Sequence, residues 1–161
     1  MLRNITLGAR IVVGLSACAT PSTKISVYPP AVYEHRVSAA DVSVYWNCTQ
    51  PEPNMLRVEG AVQNISGAQV QFAEVEVVAV NVSDRTVRSA KSAVRDILLQ
   101  STQVSPFLIQ LQTLGDEARF DMYYWYYVRG PLGVAGPGQR QVQNMARDVC
   151  SPTQHRFQKP G

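Results

Sequence analysis

The side chains of this chain whose types could do chemistry are few: three thiols, two imidazoles, one close pair of carboxylates and one row of aromatic rings. The thiols are Cys18, Cys48 and Cys150, and the imidazoles are His35 and His155. A thiolate is a nucleophile, a lipid-attachment point or half of a disulfide, whereas a catalytic triad or a histidine-rich metal site needs imidazoles held rigidly beside their partners. His35 falls in a proline-rich opening and His155 in the last residues, so neither is placed to serve such a site. Glu74 and Glu76, two apart, would share one face of a strand. With no histidine or third carboxylate near them in sequence, they read as a solvated face. Tyr123, Trp125 and Tyr127 alternate in the same way and would form a flat aromatic platform, with Tyr45 as a ring to set opposite on a neighbouring strand. Such a surface suits a sugar ring or an apolar partner, because each ring offers a large apolar area and Tyr and Trp keep a polar handle. The competing reading is cross-strand packing, or cover by residues 139–149. No catalytic residue, metal ligand or cofactor is assigned: the chain has no His-Glu-x-x-His, Gly-x-Ser-x-Gly or Cys-x-x-Cys.

Cys18 lies at the end of a leader-like opening. Arg3 and Arg10 precede the apolar run Ile11-Val12-Val13-Gly14-Leu15, and the small residues Ser16 and Ala17 stand just before the cysteine. That is the order of a secretory signal, and the apolar run is far short of the roughly 20 residues needed to span a bilayer. Leu15-Ser16-Ala17-Cys18 resembles the bacterial lipobox at all four positions. The resemblance implies a diacylglycerol on the Cys18 thiol, cleavage before Cys18 and acylation of the new amine. Two or three acyl chains hold a protein to a membrane far better than one, at about 0.8 kcal/mol per buried methylene. Ala19, where inner-membrane retention would resemble Asp, directs the expectation to an outer membrane facing the periplasm in a cell that has one. The alternative is an ordinary secretion signal cut nearby, with Cys18 free or disulfide-bonded.

Loss of residues 1–17 removes two of the 15 basic residues, leaving 13 against 12 acidic ones. A near-neutral chain with no basic run lacks what binds phosphate backbones, so nucleic acid is not an expected partner. Once Cys18 is assigned to lipid, Cys48 and Cys150 remain as an even pair in an oxidising compartment, which favours a disulfide between them over two unpaired thiols.

The elements that must carry these residues are strands. Residues 18–40, with Pro21, Pro29 and Pro30, read as a lipidated tether. From Asp41 the pattern has period two: Val42, Val44, Trp46 and Cys48 on one face, then Leu56, Val58, Gly60 and Val62, then Ala73, Val75, Val77 and Ala79. Asn64-Ile65-Ser66-Gly67 reads as a hairpin turn between the second and third of these strands, through residues tolerant of positive φ. Val78 and Val80 make the third strand apolar on both faces, as at the centre of a sheet. Residues 86–98 fit helix and strand alike and are assigned to a strand by context. Phe107, Ile109 and Leu111 form another strand, and Ala118, Phe120, Met122, Tyr124, Tyr126 and Val128 one face of the longest. The Gly/Pro run from Gly130 to Gly138 ends the sheet. Beyond it, residues 139–149 read as a short helix with Val142, Met145 and Val149 on one side, and residues 151–161 as a flexible tail. The expectation is an all-β fold, one antiparallel sandwich over 41–128, with a signal over 1–17 and a linker and tail over 129–161. Three sequons, at Asn47, Asn64 and Asn81, read as coincidence in a bacterial lipoprotein.

Val58-Glu59-Gly60-Ala61-Val62-Gln63-Asn64-Ile65-Ser66-Gly67, Ser105-Pro106-Phe107 and Phe120-Asp121-Met122-Tyr123-Tyr124 together resemble the FxLYD type of bacterial immunoglobulin-like domain. Met122 and Tyr124 stand where the name motif has Leu and Asp. The resemblance covers roughly half of the chain and implies an immunoglobulin-type sandwich without catalytic residues. The expected function is therefore that of a membrane-anchored envelope lipoprotein acting as a non-catalytic interaction or structural module with a protein partner. The alternative is glycan or peptidoglycan binding through the Tyr123, Trp125 and Tyr127 face.

Overall fold

A computed structural model describes residues 30–129 and 139–151. Nine strands follow a 3-10 turn at Pro30–Val32: β1 (His35–Ser38), β2 (Val42–Glu52), β3 (Met55–Asn64), β4 (Gln69–Asn81), β5 (Thr86–Ala93), β6 (Leu98–Leu99), β7 (Val104–Gln112), β8 (Glu117–Arg129) and β9 (Gln139–Ala146). They form two antiparallel sheets. Sheet A has the order β1-β2-β3-β7, and sheet B the order β5-β4-β8-β9 with β6 also paired to β4. The fold is a β-sandwich, as the alternation requires.

The faces are the sets read from the sequence, and on β8, where alternation leaves the direction open, the set with Met122, Tyr124 and Tyr126 turns inward. Val42, Val44 and Trp46, Leu56, Val58 and Val62, and Phe107, Ile109 and Leu111 from sheet A meet Val75, Val77 and Ala79, and Met122, Tyr124 and Tyr126 from sheet B, all buried. Each fully buried aliphatic or aromatic side chain of this size contributes about 1.5 to 3 kcal/mol relative to exposure, so this interface is the main source of stability. β4 lies inside its sheet, between β5 and β8, which explains why Val78 and Val80 are also buried. Of residues 86–98, assigned to a strand, 86–93 form β5, residues 94–97 leave the ladder, and the chain pairs again as β6 from Leu98.

Three local readings are corrected. First, the Asn64 turn is no hairpin, because β3 belongs to sheet A and β4 to sheet B. Asn64 acts through its side chain. Its buried amide Nδ2 donates to the carbonyls of Ala68 (2.7 Å) and Leu99 (2.9 Å), while Oδ1 accepts from the Ser66 amide (2.9 Å) and hydroxyl (3.0 Å). One side chain thus satisfies four groups at the crossover, which favours this connection because an unmet buried polar group costs about 1 to 3 kcal/mol. The Asn-x-Ser triplets have the same local use at Asn81, whose Oδ1 accepts from the amides of Ser83 and Arg85 at 3.0 Å each. Asparagine favours such turns because its side chain mimics a backbone carbonyl. Second, residues 139–146 are strand β9 and not a helix. The spacing of Val142, Met145 and Val149 is helical, but a short isolated helix is marginal, and pairing along β8 supplies a ladder from Met122↔Ala146 to Arg129↔Gln139. Third, His35–Ser38, read as tether, pair with Ser43 to Trp46 of β2. Four residues are too short a run for period two to show.

Cys48 and Cys150 are disulfide-bonded, with Cα atoms 5.5 Å apart. The bond joins β2 of sheet A to the segment after β9, and so clamps the two sheets together. Trp46 Nε1 donates to the Val149 carbonyl at 2.7 Å, and the Val149 amide donates to the Phe120 carbonyl at 2.7 Å. The turn that carries the second cysteine is therefore bound to both sheets.

Candidate functional site

β8 sets one face inward and the other outward. Its inward set includes Met122, Tyr124 and Tyr126; Tyr123, Trp125 and Tyr127 consequently stand together on the outer face of sheet B, half-buried. The pairing register fixes their neighbours. Trp125 lies between Glu74 of β4 and Gln143 of β9, Tyr123 between Glu76 and Met145, and Tyr127 between Gln71 and Gln141. Cross-strand partners have Cβ atoms about 4.5 to 5.5 Å apart, so each ring is flanked by an amide or carboxylate and the row forms one continuous surface. β9 lies beside this row as a neighbouring strand and does not cover it.

A further ring extends the face. Phe72 is 53% exposed and meets Tyr127 edge to face, with centroids 6.2 Å apart at 89°. It sits in a register shift between Gln71 and Glu74 with φ at 49°, a strained value for a bulky residue. The bulge sets this ring outward between Val70 and Ala73, which both face the core. Val70 and Ala73 are both buried, an odd spacing that period two forbids without an inserted residue. Strain of this kind clusters at functional positions. Met145, 42% exposed, closes the rim opposite.

Tyr45 does not join this surface. It lies in sheet A, on the far side of the sandwich, with Arg36 5.3 Å over its ring and its hydroxyl donating to Gln63 Oε1 at 2.9 Å. His35 stacks on Trp46 with centroids 5.4 Å apart. Glu74 and Glu76 lie on the outer face, and no group of three His, Cys, Asp or Glu that could hold a metal occurs among the described residues. Cys18 and His155 lie outside the described residues, as does the Gly/Pro run from Gly130 to Gly138.

A groove of about 600 Å³ opens beside the disulfide, lined in part by Cys48, Cys150, Arg119, Phe120 and Asp148. Arg119 is already committed: Nη1 donates to Asp84 at 2.5 Å and Nε to Asp121 at 3.1 Å. The Arg119 hydrogen bond holds the Asp84 carboxyl below its usual range. Asp121 in turn accepts from the Asp148 amide at 3.0 Å, so these charges order the chain around the clamp.

Beneath the aromatic row, burial pushes the Tyr124 phenol up to about 12 and also raises that of Tyr126, whose hydroxyl lies 3.4 Å from Asp41 Oδ2. Both are neutral when folded, whereas an unfolded tyrosine ionises near pH 10. The unfolded chain therefore holds fewer protons above that pH, and stability should fall as pH rises from about 10 toward 12. Ultraviolet titration should show a late-ionising component from Tyr124 and Tyr126, diminished in Tyr124→Phe. A single transition near pH 10 for all tyrosines, at a pH where the fold persists, would refute the assignment.

No protein-family model matches the sequence, and no curated protein matches it. Among solved structures it is similar to the GAE domain of GGA1 from yeast, at 8% identity over 70% of this chain and 96% of that one, with a TM-score of 0.45. It is also similar to the GAE domain of GGA2p from Saccharomyces cerevisiae, at 9% identity over 73% and 97% of the two chains, with a TM-score of 0.46. At this level of similarity no residue role is carried over to the face of sheet B.

Proposed function

We propose that this chain is a lipid-anchored bacterial envelope protein whose sandwich is a non-catalytic interaction module, receiving a protein partner on the outer face of sheet B. The observation that carries the reading is the row Tyr123, Trp125 and Tyr127, extended by Phe72 and held on an outer face instead of in the core. Aromatic residues of this kind dominate binding energy where they are rigidly presented. The Cys48–Cys150 disulfide fits an oxidising compartment, and the lipobox-like Leu15-Ser16-Ala17-Cys18 supplies the attachment, at an outer membrane facing the periplasm where the cell has one.

Pull-down from cross-linked envelopes should recover one stoichiometric protein. Trp125→Ala should cut that recovery by on the order of thirtyfold, the effect of losing an anchor of about 2 kcal/mol. Undiminished recovery with Trp125→Ala would remove the aromatic face from the reading. Cys18→Ser should release the chain to the soluble fraction; continued retention on membranes would defeat the anchor.

One observation favours a glycan as the second reading: Glu74 and Gln143 flank Trp125 in a single row, which places hydrogen-bonding groups beside a ring face, as sugar stacking requires. In that case the chain sediments with purified cell wall, and Trp125→Ala abolishes it.

A further inference from the structure

Of the five edge strands among the described residues, four carry a recognisable guard against pairing with another chain, β6 because it is only two residues long. β1 is only four residues long. β5 presents Arg88 and Lys91 and is paired through a register shift at Ala79 and Val80. β7 contains Pro106, whose carbonyl accepts from the Arg95 amide at 3.0 Å, while Ser105 Oγ accepts from the Asp96 amide at 2.8 Å, so residues 95–96 lie along that edge. Short length, charge, bulges, proline and cover are the known ways of blunting an edge. Among the described residues β9 has none of them. It runs eight residues without proline, and its ladder with β8 has no register shift. Its one charge, Arg140, is paired at 3.3 Å with Asp41 of the same domain. Among the described residues no strand pairs with its outer edge.

We propose that β9 is a homodimerisation edge, on which a second copy of this chain pairs antiparallel through its own β9 about a two-fold axis at Val142. The inference is independent of what the aromatic face binds. An axis perpendicular to the sheet keeps the two outer faces on one side, so partners across the seam must share a face, and only residues of equal parity can meet. The axis at Val142 sets Val142 against Val142, Gln141 against Gln143 and Arg140 against Asn144. Like meets like at Val142 and where Gln141 faces Gln143, and the two Arg140 side chains never face each other. β5 has no such fit, since Arg88 and Lys91 would crowd a self-paired seam with like charge. The pairing would join the two sheets B into one and lay their aromatic rows side by side on a single surface.

Directly opposed antiparallel residues have Cα atoms about 4.5 to 5.5 Å apart, inside the range of about 4.4 to 6.8 Å that a disulfide spans. Full-length Val142→Cys, oxidised in membranes, should therefore give a reductant-sensitive species of twice the chain mass on a non-reducing gel. Ser89→Cys on β5 should give none. In the Val142→Cys chain, adding Gln141→Lys with Gln143→Lys should abolish the doubled species, because lysines then oppose each other across the seam. Gln141→Lys with Gln143→Glu should restore it. Gln141 and Gln143 are exposed, and an unchanged melting temperature for each variant verifies that the fold is intact. The proposal is overturned if Val142→Cys stays monomeric and labels fully with maleimide, if it cross-links to a product of another mass, or if the lysine–glutamate pair fails to rescue.

Discussion

Replacing Cys48 and Cys150 together with serine is expected to lower the stability of the domain by about 4 to 5 kcal/mol, the chain-entropy value for a closed loop of about a hundred residues. The two cysteines are 102 residues apart, so in the unfolded chain the bond closes a loop that spans nearly the whole sandwich. For a domain of this size the melting temperature should fall by on the order of 15 °C. Native stabilities run from about 5 to 15 kcal/mol, so the bond supplies a third or more of what the fold has. The folded structure itself should persist below that temperature. Val149 stays buried, and its two backbone hydrogen bonds, to Trp46 and Phe120, still fasten the C-terminal turn across the sheets. Near-ultraviolet circular dichroism of the double variant should therefore match the parent when cold. Parent protein melted in reductant should reproduce the variant's midpoint. A midpoint unmoved by reductant, with unchanged gel mobility, would show that the clamp contributes nothing.

Gly60→Ala is expected to destabilise by about 3 kcal/mol, the upper range for overpacking a close-packed core, although it adds a single methyl group. Gly60 stands in β3 between Trp46 of β2 and Phe107 of β7. A Cβ there would run into the Tyr45 carbonyl oxygen and lie 2.5 Å from Phe107 Cζ. Phe107 is fully buried and cannot swing away, and the Tyr45 oxygen belongs to the backbone of the adjoining strand. Glycine thus leaves the space that the Phe107 ring fills. Phe107→Leu in the Gly60→Ala background should recover part of the loss, giving a favourable coupling in a double-mutant cycle followed by urea denaturation. The recovery should be incomplete, because the backbone clash remains. Gly60→Ala within about 0.5 kcal/mol of the parent, the range of an ordinary surface substitution, would mean that the strand shifts freely and that the close approach has no energetic consequence.

The aromatic face was readable as a set of residues before its surroundings were known. Tyr123, Trp125 and Tyr127 share a face by period two alone, and the buried companions Tyr124 and Tyr126 follow from the same alternation. Phe72 and Met145 were not readable: one reaches the surface through a bulge, and the other lies in a segment whose spacing reads as helix. Tyr45 shows the converse. It has the right residue type and strand position, yet its strand belongs to the other sheet.

The chain's sequence by itself determined that the domain is all-β, which residues share a face on each long strand, that Cys48 and Cys150 form the pair left once Cys18 is set aside, and that the Tyr123, Trp125 and Tyr127 rings lie on one face. These are consequences of local alternation and residue chemistry, and they hold whatever the strands pair with. Only the tertiary structure decided that Asn64 carries the chain from one sheet to the other, that residues 139–146 extend sheet B instead of coiling, that His35–Ser38 belong to sheet A, and that Gly60 is obligatory beneath Phe107. Period two is identical in either sheet and silent about neighbours. Sheet membership, edge position and close approach are set by pairings between residues distant in the chain, and their energies appear only once the partners are in contact.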